Sequence, residues 1–133
     1  MTGKDFATYL ALAYQVSYHA GLTLRDACTD YHTSRAWTAA GVAAVTARIL
    51  SCDPVQIHEV AGIGEYNGPR NQMMRCIDHP TMVRDGVGWD APTDITAGFL
   101  AKNGFTSAPA VTCKGPQWER LQNTWKFGHR HTF

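Results

Sequence analysis

Apolar positions recur at helical spacing along most of this chain, and no stretch alternates apolar with polar residues long enough for a sheet. Residues 4–20 are the first such segment. Phe6, Leu10, Ala13, Tyr14 and Ser17 share one face, and Leu12, Val16 and Ala20 widen it. Thr2 is a candidate cap, Asp5 opposes the helix dipole in the first turn, and Gly21 is the expected stop. Tyr9, Tyr14 and Tyr18 are expected to pack, with hydroxyls at the rim. Residues 21–33 are ambiguous, with one short turn around Leu22, Leu24 and Ala27 and then a polar loop. Thr33 or Ser34 can supply the cap oxygen for the next helix.

Residues 35–50 give the strongest helical signal. Trp37, Ala40, Ala44, Val45 and Ala47 lie among Ala36, Ala39, Gly41 and Ala43. So many small residues predict a helix buried on most sides, with close neighbours. Asp53-Pro54-Val55-Gln56 then reads as a capping box with proline at the first helical position. That helix carries Ile57, Val60, Ala61 and Gly64 on one face and should fade at residues 65–68. A further helix is expected over 93–103. Pro92 is tolerable only near a first turn, so its start is expected near Asp90 or Ala91. Gly104 should stop it. A loop follows to residue 115, and 117–127 make a last short helix with Trp118, Leu121 and Trp125 inward. The pattern predicts an all-α bundle of about four to five helices, one domain over 1–127 with a tail over 128–133.

Between the third and fourth of these helices, residues 65–89 show neither period. Three arginines (Arg70, Arg75, Arg84) and His79 fall in this stretch. A long cationic connection inside a small domain is a candidate functional segment. Arg70 and Arg75 are candidates for gripping carboxylates through forked hydrogen bonds, with His79 beside them before Pro80. Solvated, salt-bridged arginines are the plain alternative. Gly62-x-Gly64 and Gly86-x-Gly88 follow no strand and lack nucleotide-loop spacing, so helix packing and turns explain them better.

Composition narrows the function classes. The 133 residues are 44% apolar and 17% charged, enough for one core, and the net charge is +1. Without a strong net charge or a basic helix, no nucleic-acid partner is expected. No apolar run is long enough to span a membrane. The N-terminus lacks the order of a signal peptide, and Cys28, Cys52, Cys76 and Cys113 form no Cys-x-x-Cys pair. Reduced thiols and a cytoplasmic location are the expectation. His129-x-His131 is half a metal site at most, and no metal is expected.

Several short motifs occur together in one order. They are Tyr31-His32-Thr33-Ser34, Ala36-Trp37-Thr38-Ala39 with its alanine-rich helix, Glu65-Tyr66-x-Gly68-Pro69-Arg70-x-Gln72-Met73-Met74, His79-Pro80-Thr81-Met82-Val83, Asp85-Gly86-x-Gly88-Trp89 and Gly104-Phe105-Thr106-x-Ala108-Pro109. This run resembles the MmgE/PrpD family, which includes 2-methylcitrate dehydratase, cis-aconitate decarboxylase and iminodisuccinate epimerase. The likeness covers about residues 5–127. It implies an internal piece of a larger all-helical domain that pairs as a homo-oligomer or with a complementing chain. It also implies lyase or isomerase chemistry on a small di- or tricarboxylic acid, by proton transfer next to a carboxylate, with no metal or organic cofactor. His32 matches the family's acid/base histidine. Arg84 stands where the family has a lysine, so it can neutralise charge but cannot exchange a proton at neutral pH. Asp90 and Asp94 stand where the family tends to have small residues, and the negative charge they add is expected to weaken anion binding. The other reading of the same residues is a non-catalytic relative that serves as a helical oligomerisation or interaction module.

Overall fold

The computed structural model describes residues 1–28, 31–68, 71–79, 82 and 85–114. Four long helices and two single turns make up its regular structure: α1 Gly3–Ala27, α2 Arg35–Ile49, α3 Pro54–Asn67, α4 Met74–Ile77, α5 Val87–Lys102 and α6 Val111–Lys114. The all-α expectation holds. The helix read over 117–127, the tail with His129 and His131, and Arg70 and Arg84 lie outside the described residues.

Helix α2 is the centre of the bundle and packs on α1, α3 and α5. Its alanine and glycine face makes this possible. The core is built from Ala43 and Ala47 of α2, Val60 and Ile63 of α3, and Ala97 and Ala101 of α5, with Cys52 packed against it. Small side chains let the helix axes approach, so backbone and Cβ atoms supply the contacts that long side chains give elsewhere. Gly64 serves this packing, and Gly62 leaves room for the loop after α5. Gly62 lies against Ala108 and Ser107, and a Cβ on Gly64 would sit 3.3 Å from the Cβ of Ala43.

Local signals set several helix ends. Asp53 accepts from the N–H groups of Val55 and Gln56, at 2.9 Å each, and Gln56 Oε1 accepts from Asp53 N at 3.1 Å. At the end of α5, Gly104 has φ of +84°, and its N–H and that of Phe105 donate to Ala101 and Leu100 at 3.0 Å. That pairing closes the helix in the left-handed conformation glycine adopts without strain.

Thr2 caps α1 in a complete box. Asp5 N donates to Thr2 Oγ1 at 3.2 Å, and Asp5 Oδ2 accepts from Thr2 N at 2.7 Å and from its hydroxyl at 2.8 Å. The backbone N–H of Thr2, and after it the hydroxyl, hold the Asp5 carboxyl below its ordinary value of 3.8. A carboxylate whose folded pKa is depressed stabilises the fold above its unfolded pKa and loses that contribution as pH falls through the folded value. An NMR titration should therefore place the Asp5 midpoint below 3.8. Thr2→Ala keeps the backbone N–H and removes the hydroxyl, so it should raise that midpoint only in part, and an unmoved midpoint would mean that the hydroxyl does not reach the carboxylate.

Four expectations are corrected. First, α1 does not stop at Gly21 but runs on to Ala27. A Cβ at Gly21 would come 3.2 Å from Trp37 Cδ1, so the bare residue lets the helix continue past the indole. Second, its inward face is the smaller one. Ala20 and Leu24 are buried, whereas Phe6, Leu10, Tyr14 and Tyr18 are exposed. Third, Ser34 occupies the cap position of α2, but its side chain makes no capping bond to that helix. Its hydroxyl donates to Asp85. Fourth, α5 begins at Val87, so Pro92 lies inside it, and the stretch over 65–89 includes the end of α3, the turn α4 and the start of α5.

Candidate functional site

The connection between α3 and α5 is tied to the segment before α2. His32 and Gln72 form an antiparallel bridge, with Thr33 N donating to Asn71 O at 2.9 Å and Met73 N to Tyr31 O at 2.8 Å. Asp85 fixes the other end. Its carboxylate accepts from Ser34 N at 2.8 Å, from Gly86 N at 2.7 Å and from the Ser34 hydroxyl. One side chain thus places negative charge at the start of α2 and at the start of α5, where the free N–H groups of both helices favour it.

These ties frame a cavity of about 790 Å³ between the first turn of α2, residues 71–79 and the start of α5. Arg35, Arg75, His79, Asn71, Asp85 and Trp89 are among its lining residues. Arg35 is half-buried and crosses from α2 to α5, where Nη2 donates to Thr93 Oγ1 at 2.9 Å. Arg75 is exposed and donates to Asn71 Oδ1 at 2.8 Å, one turn back. His79 is exposed at the end of the same segment. The Asp85 carboxylate is already engaged by two backbone N–H groups and a hydroxyl. Two guanidinium groups and side-chain amides can therefore receive an acidic ligand in forked geometry.

A second cavity, of about 500 Å³, lies on the α1 side of the bridge. His32 lines this one, with Tyr18, Arg25, Tyr31 and Trp37. The structure therefore brings Arg75 and His79 together and places His32 in the neighbouring wall. Arg70 and Arg84 are outside the described residues.

Two residues of the site were missed in the sequence. Arg35 is the lone charged residue of α2 before Arg48, and a single cation opening an alanine-rich helix was the available signal. Asp85 acts across 51 positions of sequence on Ser34, a pairing no local pattern announces. Conversely, Glu65 is spent on structure: its carboxylate accepts from Val111 N and Thr112 N at 3.1 Å each and so caps α6. Asp94 is fully buried, beside Gly64, and does not line the larger cavity, so its charge is not set against a ligand there. Among the described residues no group of three or more His, Cys, Asp or Glu side chains could hold a metal ion, and no helix is long and apolar enough to cross a membrane. Cys52 and Cys76 are free thiols.

Comparison with family models, curated proteins and solved structures gave no match for this chain.

Proposed function

We propose that this chain binds a small di- or tricarboxylic acid in the larger cavity and belongs to a lyase or isomerase of the MmgE/PrpD kind. The observation that carries this reading is the pair of guanidinium groups, Arg35 and Arg75, at one cavity with His79. Proton transfer next to a carboxylate develops negative charge on the substrate. Fixed cations at the carboxylates lower the cost of that charge, and an imidazole can carry the proton. The motif run assigns the proton to His32 and charge neutralisation to Arg84, but His32 lines the other cavity, so at this one His79 is the imidazole beside the bound acid, with Arg75, and Arg70 from the same stretch, as binding groups. Metal and organic cofactors have no part in this scheme.

The test is turnover followed by proton NMR with cis-aconitate, 2-methylcitrate and iminodisuccinate in turn. One acid should be consumed. Removing the histidine that moves the proton should slow the reaction about a hundredfold or more. Comparing His32→Ala with His79→Ala shows which imidazole that is. If none of the three acids changes, the catalytic reading falls for this chain.

A second reading is favoured by a different observation. Phe6, Leu10, Tyr14 and Tyr18 recur every four residues along α1 and are all exposed, as are Ile95 and Phe99 on α5. A core of alanines with large apolar side chains outside suits a helical interaction module that covers these faces by assembly. Light scattering should then show a species larger than the monomer, and Phe6→Glu with Tyr14→Glu should return it to a monomer. A wild-type monomer at high concentration would count against assembly through α1.

A further inference from the structure

We propose that the smaller cavity, on the α1 side of the His32–Gln72 bridge, is a separate binding site for a flat aromatic monocarboxylic acid. This inference does not rest on the reading of the larger cavity, and it concerns a different ligand class.

The lining dictates that class. Leu24 is buried in the α1 wall, and Trp37 lies so close to Gly21 that a Cβ there would come within 3.2 Å of the indole. The indole is therefore held in place on that wall. Tyr18 and Tyr31 are each more than half exposed at the rim. Three aromatic side chains around one hollow favour a planar apolar guest, which gains offset or edge-to-face contacts as well as burial. The polar groups are cationic or neutral. Arg25 is exposed on the last turn of α1 and His32 is half-buried, and no carboxylate is among the described lining residues. Arginine can pair with a carboxylate through two parallel bonds and can also stack on an aromatic ring. One anionic group is thus provided for. A second or third carboxylate would lie against Leu22, Leu24 or the indole and lose water without a partner, which is costly. The cavity volume of about 500 Å³ is of small-molecule size.

The experiment is an NMR titration of the full chain with 2-naphthoate, following the imidazole signals of His32 and His79 and the indole signal of Trp37. The uncharged 2-naphthamide and cis-aconitate are run in parallel. Naphthoate should shift His32 and Trp37 and leave His79 in place. Arg25→Gln, a change at an exposed position, should weaken naphthoate about tenfold and leave the amide's affinity unchanged. Tyr31→Ala should weaken both. The proposal is overturned if His32 and Trp37 stay still at millimolar naphthoate. It is equally overturned if the amide binds as well as the acid, or if His79 moves instead. The cis-aconitate arm is read at His79, so failure of the larger cavity to bind is seen separately from failure of the smaller.

Discussion

Gly41→Ala should destabilise the fold by about 3 kcal/mol, at the upper end of overpacking costs. Gly41 is buried where α2 crosses α1. A Cβ there would come 2.5 Å from the carbonyl oxygen of Ala13 and nearer still to the Ser17 hydroxyl. The first neighbour is backbone and cannot turn aside, so the two helices must separate. Separation opens gaps where the contact is made by small residues such as Ala13, Ser17 and Gly41, which have no long side chain to fill them. Denaturant unfolding checks this as a drop in midpoint with little change in slope. Gly3→Ala is the control. Nothing lies within 4 Å of a Cβ there, and the same chemical change at this exposed helical position should be neutral or slightly stabilising. Equal losses at both positions would mean that α1 and α2 do not approach as closely as described.

Asp85→Ala should cost about 2–3 kcal/mol, the range for charge-assisted hydrogen bonds and helix caps lost together. The carboxylate serves Ser34 N, the Ser34 hydroxyl and Gly86 N. Truncation leaves the starts of α2 and α5 without that shared acceptor. The losses should be uneven. Amides of residues 34–36 and 86–89 should exchange with solvent sooner, while those of α3 keep their protection, since its box of Asp53 and Gln56 is local. Asp85→Asn keeps one acceptor oxygen and should recover part of the loss. If Asp85→Ala leaves stability unchanged, the tie between the connection and α2 is not what shapes the larger cavity.

The parts of this fold that could be read in the sequence are those whose causes are local. The Asp53-Pro54-x-Gln56 box formed as spelled, Gly104 closed α5, and the alanine-rich run became the central helix. The misreadings share a physical cause, which is that a partner element made the choice. Hydrophobicity alone turns Phe6, Leu10 and Tyr14 inward. The surface they would meet is α2, whose alanine and glycine face accepts Ala13, Ser17 and Ala20 at close range and leaves no room for rings. The start of α5 was displaced in the same way. Pro92 argued for a later beginning, yet Asp85 anchors the turn before Val87, and the Thr93 hydroxyl donates to the Trp89 carbonyl at 3.0 Å in the proline-containing turn. Of the candidate site, the cationic connection was legible as Arg75 and His79. Arg35, from the helix opposite, was not, because its role depends on α5 lying alongside.

A bundle stabilised by close backbone approach leaves few large apolar groups inside. Its larger cavity is held by hydrogen bonds between segments distant in sequence. Those bonds are the Asp85 contact with Ser34, the His32–Gln72 bridge and the Arg35–Thr93 bond.

The most direct measurement is calorimetric titration of the chain with cis-aconitate, beside Arg75→Ala and Arg35→Gln. Saturable one-to-one binding, weakened about tenfold or more by either change, is the result expected of a carboxylate site between α2 and the connection. Heat indistinguishable from dilution, or binding indifferent to both guanidinium groups, would contradict it.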